Sequence, residues 1–251
     1  MQFLEKIFLK FLRFWDSLKH RKIRKEFDLW QAKNTNIESY SQYKQDLFVL
    51  FYYRKDSGKN RFFVDIGAND GISLSNTYAL EQNNSWGGGI LIEADNAVFQ
   101  TLLKNRPNPK IAKYNVAIYN KDKQIKFMQI SGYAQMLSGI INEYDPRHLK
   151  RIENEITQYG GSYEIFEMQG IRFDTLMHKH PDITRIDYLS IDVEGGEKSI
   201  LESIDFNTHH IQLIGIENNY KDSWIENFLL KQGYRKIIEL GCDEFYEKTP
   251  N

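Results

Sequence analysis

Apolar residues along this chain gather into short, dense runs: Phe62 to Ile66, Gly89 to Ile92, Ile111 to Ile118, Ile186 to Ile191 and Ile211 to Ile216. Runs this short, rich in β-branched and aromatic residues, predict strands covered on both faces. Between them the apolar positions change to helical spacing. Leu74 to Leu80 begins one helix, Asn96 to Asn105 forms another that stops before Pro107, and further helices run through Ile200 and Leu201 and from Trp224 to Lys231. Tyr234 to Leu240 and Glu244 to Glu247 read as a closing antiparallel hairpin, and Ile125 to Ile130 as an extra β segment. Strands alternating with helices predict an α/β sandwich with a mostly parallel sheet.

Three stretches depart from this rhythm. Near the amino end, Phe3, Leu4, Ile7, Phe8, Phe11, Leu12, Trp15 and Leu18 form one apolar helical stripe among many Lys and Arg residues. Residues 1–38 therefore read as a basic amphipathic extension. It could pack on the domain or on a second subunit, or lie on an anionic membrane surface as a peripheral contact. Next, Ser41 is placed to cap a helix through Leu47 to Phe51. This helix is expected to cover the ligand pocket with Gln45 and Asp46 facing inward, although Asp46 could equally serve the helix start. Finally, residues 131–170 are polar and aromatic, with a charged helix expected between Pro146 and Tyr159. Such an insertion is where an acceptor lid is expected, with Tyr133, His148 and Arg151 as candidate substrate contacts; a solvated connecting helix is the simpler alternative.

Composition changes this picture little. The formal charge of −1 over 251 residues gives no bulk reason to expect a nucleic-acid partner. The single cysteine, Cys242, allows no internal disulfide and fits a reducing cytoplasm. No run approaches the roughly twenty apolar residues of a membrane span.

The chemistry concentrates at strand ends. The first strand runs into Gly67-Ala68-Asn69-Asp70-Gly71, where Gly67 and Gly71 allow close backbone approach to a ligand. The spacing is not the G-x-G-x-x-G of a dinucleotide site, and no Gly-Lys-Ser/Thr follows as in a P-loop. Carboxylates at Asp65 and Asp70 suit a cation better than a phosphate. S-adenosylmethionine (SAM), with its sulfonium and ammonium, is such a ligand. The second strand ends in Glu93, Ala94 and Asp95, where Glu93 could accept both ribose hydroxyls. Asn115 and Ala117 fall where adenine would lie. Both acids could instead cap the following helices. Two later strands deliver Asp192, Glu194, Glu217 and Asn218 to the same edge.

Six segments together carry a family likeness: Ser41 to Asp46 (SQYKQD), Phe63 to Gly71 (FVDIGANDG), Ser75 to Thr77 (SNT), Gly89 to Glu93 (GILIE), Leu189 to Gly195 (LSIDVEG) and Asp243 to Tyr246 (DEFY). In order and spacing they resemble the FkbM family of SAM-dependent methyltransferases, over nearly the whole chain after about Ser39. The resemblance implies a class I, Rossmann-like methyltransferase fold with six parallel strands and one antiparallel. It also implies O-methylation of sugar or polyketide hydroxyls, commonly in bacterial capsule or lipopolysaccharide pathways. The SAM contacts it implies are Gln45, Asp46, Asp65, Gly67, Asn69, Gly71, Ser75, Asn76, Glu93, Ala94, Asn115 and Ala117. For the acceptor proton two devices stay open. Asp192, Glu194 or Glu217 could act as a base. Alternatively Asp192, Glu217 and Asn218 could hold a divalent metal, similar to catechol O-methyltransferase-like enzymes, though Glu217 stands where those carry Asp. The acceptor is expected to be a sugar, most simply a nucleotide-linked one. A lipid-linked or polymeric glycan, a polyketide-type molecule, and a non-catalytic SAM-binding scaffold are the alternatives.

Overall fold

In the computed structural model, which describes residues 19–58 and 60–250, each expected buried run enters the main sheet as a strand, the third with its first half alone. Along each, alternate side chains enter opposite faces of one sheet. Phe63, Leu91 and Tyr188 pack beneath the amino-terminal helices, while Val64, Ile90, Ile92 and Leu189 pack against the later ones. The sheet comprises β1 (Arg61–Ile66), β2 (Trp86–Ile92), β3 (Ile111–Tyr114), β8 (Arg185–Ile191), β9 (His210–Glu217), β10 (Tyr234–Leu240) and β11 (Asp243–Lys248). Their order is β10-β11-β9-β8-β1-β2-β3. β11 runs antiparallel to both β9 and β10, and the other pairs are parallel. This is the six-plus-one class I arrangement, with β1 at the centre where connections leave in both directions and a ligand crevice opens.

One face carries a helix over residues 19–33 (α1), α2 (Gln45–Tyr52), α3 (Tyr78–Glu81) and α4 (Asn96–Asn105). The other carries α6 (Phe173–Met177), α7 (Glu197–Glu202) and α8 (Ser223–Lys231). The expected stripe from Phe3 to Leu18 lies outside the described residues. The part that follows it is bound to the domain. Phe27 is fully buried against Phe48 and Phe51, His20 Nε2 meets the Lys236 carbonyl at 2.8 Å, and Arg24 donates to the Glu239 carbonyl at 2.7 Å. Truncating Phe27 to Ala is expected to cost about 3–5 kcal/mol. No helix among the described residues is long and apolar enough to cross a membrane.

The largest departure from expectation is a second sheet. The third apolar run breaks after Tyr114: β3 stays in the main sheet, and Ala117–Ile118 (β4) joins β5 (Lys123–Gly132), β6 (Gly139–Ile140) and β7 (Gly161–Ile171) in the order β4-β7-β5-β6. β5 and β7 pair antiparallel from Lys123↔Gly170 to Gly132↔Gly161. Much of the expected lid is therefore strand. The charged helix does form, as α5 (Pro146–Tyr159), capped by Asp145 and begun by proline. Two smaller corrections concern helix starts. The helix expected from Leu74 is only α3, and the cap position of α2 is held by Lys44 in the left-handed region, while the Ser41 hydroxyl accepts from the first-turn Asp46 N–H at 3.2 Å.

Candidate functional site

The cleft lies where β1, β2, β8 and β9 end, and the second sheet closes one side of it. Its walls bring together Gln45, Asp65, Gly67, Asn69, Ser75, Asn76, Glu93, Ala94, Ala117, Asp192, Glu194 and Glu217 from the expected set. Counting the open solvent at its mouth, the empty space within it is about 1170 Å³.

Gly67 makes the crossing of β1 and β8 possible. Its φ is 89°, and a Cβ there would stand 1.8 Å from the Asp192 carbonyl oxygen. Its N–H and that of Ala68 both donate to the Ile92 carbonyl, so the turn is tied to the end of β2. Glu93 completes the tie, with one carboxylate oxygen accepting from Asn69 N–H at 2.9 Å and the other from Asp95 N–H at 2.7 Å. Burial raises its pKa to about 7. Asp65 accepts from the Thr77 hydroxyl at 2.7 Å, and burial raises its pKa too.

Beyond β8 and β9 the carboxylates crowd together. Asp192, Glu194 and Glu217 each offer an oxygen within 4.8 Å of the others. Burial, reinforced by the neighbouring charges, holds Asp192 well above the usual carboxylate range and lifts Glu217 to about 9. Glu194 rises to about 7 through burial, against the pull of Arg151. At neutral pH the cluster therefore retains protons, and a cation arriving nearby favours their release. Glu194 adopts φ 58°, a left-handed conformation uncommon for a side chain of this kind and characteristic of functional turns.

Several expected contacts are elsewhere. Asp46 is fully buried, but it accepts from the Ser39 and Ser41 hydroxyls at 2.7 and 2.6 Å and from the Tyr40 and Leu47 amides at 2.7 Å. It knots the entry to α2 and does not line the cleft. Gly71 packs under Arg106, whose Nη1 donates to its carbonyl at 2.8 Å. Asn115 donates to the Glu93 and Ala94 carbonyls, bracing the loop from outside. Asn218 closes its own loop, accepting from Asp222 N–H at 2.7 Å, and is not part of the cleft lining. Tyr133 is 66% exposed and packs on Tyr159 away from the cleft lining. His148 and Arg151 do not line the cleft but stand behind Glu194: His148 Nδ1 is 3.6 Å and Arg151 Nη1 3.7 Å from its Oε2.

Other residues enter that the sequence did not single out. Asp95 caps α4 through Oδ1, which also accepts from Gln129 Nε2 at 2.6 Å, while Oδ2 is buried without a partner among the described residues. Its position two residues after Glu93 was the available signal. Gln135, Met136, Ser138 and Ile140, from the loop between β5 and β6 and its end, form a wall that no motif announces.

The donor and acceptor inventory can be tested against SAM. Among the described lining residues, Asp65, Glu93, Asp95, Asp192, Glu194 and Glu217 are acidic and none is Lys, Arg or His. The buried Asn76 Oδ1, like Asp95 Oδ2, accepts from no protein group among the described residues. Acceptors and carboxylates fit the ammonium, sulfonium and ribose hydroxyls of SAM, and they oppose a phosphate-bearing ligand. For a divalent cation, the three clustered oxygens supply part of a hard-oxygen set.

Over residues 65–236 the sequence matches the Methyltransferase FkbM domain. No curated protein sequence matches the chain. Among solved structures, similarity extends to the methyltransferase FkbM from Methylobacillus flagellatus KT, at 14% identity and TM-score 0.47, covering 79% of this chain and 47% of that one. The M. capricolum TrmK in complex with S-adenosyl-homocysteine gives 15% identity and TM-score 0.39, covering 79% of this chain and 65% of that one. The ribosomal protein L11 methylase from Lactobacillus delbrueckii subsp. bulgaricus gives 8% identity and TM-score 0.44, covering 83% and 81% respectively. The matched segment begins at Asp65, near the end of β1, and runs through both acid-bearing strand ends, and the chain belongs to the FkbM family of methyltransferases.

Proposed function

We propose that this chain is a SAM-dependent O-methyltransferase whose acceptor is a sugar hydroxyl. The observation that carries the reading is the cleft itself: a lining free of cationic side chains among the described residues, with Asp192, Glu194 and Glu217 converging at one end. SAM supplies an electrophilic methyl group; in transfer its carbon–sulfur bond breaks, a carbon–oxygen bond forms, and the hydroxyl proton must leave. The protein then has two tasks. Asp65, Asn76, Glu93 and Asp95 hold the adenosine and amino-acid parts, so that the acceptor meets the donor already oriented. The strand-end acids take the proton. Glu194, with a pKa of about 7, is matched to that duty near neutral pH, because a base works best when its pKa lies close to the operating pH.

A second reading uses the same three oxygens as ligands for a divalent cation, which would lower the acceptor pKa. Their mutual separation within 4.8 Å favours it. The cleft lends support to the acceptor only as a class. A polyhydroxyl ligand matches the uncharged amide of Gln135 on the open wall. Within that class we favour a nucleotide-linked sugar, with the nucleotide outside the acidic lining; a lipid-linked or polymeric glycan is the alternative.

Methyl transfer from labelled SAM to nucleotide sugars and glycan fragments tests this, run with EDTA and with metals restored. Labelling of a sugar is expected. Insensitivity to EDTA supports the direct base, while loss and recovery supports the metal. Labelling of RNA or protein with no sugar labelled would overturn the sugar assignment.

A further inference from the structure

The helix over residues 19–33 has two unlike sides. Its inner side follows the i, i+3, i+4 spacing of a packed stripe: His20, Ile23, Arg24, Phe27 and Trp30 meet the domain. The outer side carries Arg21, Lys22 and Lys25, all exposed, followed by Leu29 at 54% exposure. Lys22, Lys25 and Leu29 fall at spacings of three and four and so share one face. Between residues 19 and 25 five of seven residues are Lys or Arg and none is acidic. Of the acids nearest in sequence, Glu26 is turned to Arg54 at 2.9 Å, Asp28 follows it, and Asp16 lies among the preceding residues outside the described structure. The patch is rigidly mounted, because Phe27 is anchored in the main core.

We propose that this face docks the enzyme on an anionic phospholipid surface. Charge complementarity requires a negative partner, and two further observations select lipid. An exposed leucine shares the face with the lysines, as in helices that lie at the headgroup boundary. The preceding residues 1–18, outside the described structure, alternate Lys6, Lys10 and Arg13 with Phe3, Ile7, Phe8, Phe11 and Trp15. That composition can enter an acyl boundary and has no use against a phosphate backbone. The assignment is independent of the methyl acceptor and goes beyond the function proposed above.

The test is co-sedimentation of the full chain with vesicles of phosphatidylcholine alone or mixed with phosphatidylglycerol. Binding only to the mixed vesicles is expected, and it should fall steeply between about 0.05 and 0.5 M salt. The triple variant R21E/K22E/K25E should bind about 100-fold more weakly, with unchanged SAM affinity as the control for folding. The milder R21Q/K22Q/K25Q should show a smaller loss in the same direction. Absence of binding to the mixed vesicles, or equal binding by wild type and both variants, would overturn the proposal. So would tighter binding to a short RNA duplex, or a variant that changes oligomeric state in light scattering while its vesicle binding stays intact.

Discussion

The two ends of the cleft are built on opposite plans. At β1 and β2 the loop is tied by its own hydrogen bonds: Glu93 holds Asn69 and Asp95, Asp65 holds Thr77, and the Ile92 carbonyl holds Gly67 and Ala68. At β8 and β9 the acids Asp192, Glu194 and Glu217 crowd one another, and Glu194 Oε2 is buried with, among the described residues, long contacts to His148 and Arg151 and no hydrogen-bond partner. A bonded end can hold a ligand in one pose. A crowded, partly protonated end can exchange a proton. The contrast supports the proposed division, with binding at the first and chemistry at the second.

The sharpest way to break this division is Asp192→Asn. It replaces an ionisable acid of the crowded end by an amide of nearly the same shape, and transfer is expected to fall by about 10²- to 10⁴-fold while SAM affinity stays within a few-fold. A rate assay paired with a binding assay decides it; normal turnover would remove Asp192 from the chemistry. The reciprocal change, Glu93→Ala, cuts both ties of the bonded end. SAM binding is expected to weaken by about 10- to 100-fold, as read by calorimetry. Arg151→Ala probes the support behind the acids. Without the guanidinium 3.7 Å away, Glu194 loses the influence that lowers its pKa, so the rising limb of the rate profile should move to higher pH and kcat at neutral pH should fall several-fold with little change in KM for SAM. Arg151→Lys should restore most of both.

The smallest expected effect is on stability. Glu93, Glu194 and Glu217 have folded pKa values of about 7, 7 and 9, raised from 4.5. Their folded state holds protons that the unfolded chain releases, so the contribution is full below about pH 4.5 and is lost as pH rises through 7 to 9. Thermal melts of the ligand-free protein should therefore decline from about pH 5 to 9, and Glu93→Gln should flatten the lower part of that slope. A slope unchanged in this variant would mean that Glu93 titrates normally.

Much of this organisation was legible in the sequence, for a physical reason. Strands buried on both faces must be apolar throughout, so β1, β2, β8 and β9 stand out, and the acids at their ends stand out against them. The second sheet was hidden because β7 is exposed along most of its length and its residues need not be apolar. Residues that shape a loop also resemble residues that touch a ligand. Asp46 and Gly71 belong to conspicuous motifs, yet one ties Ser39 to Leu47 and the other makes room for Arg106. His148 shows the converse. It lies in a polar stretch, and only the folding of α5 beside the loop after β8 brings its ring, 1% exposed, behind Glu194.

The division of the cleft is tested most directly by titrating SAM calorimetrically into wild type, Glu93→Ala and Asp192→Asn under identical conditions. The expected result is strong loss of affinity in the first variant and near-normal affinity in the second. Equal affinity in all three, or greater loss in Asp192→Asn than in Glu93→Ala, would contradict the account.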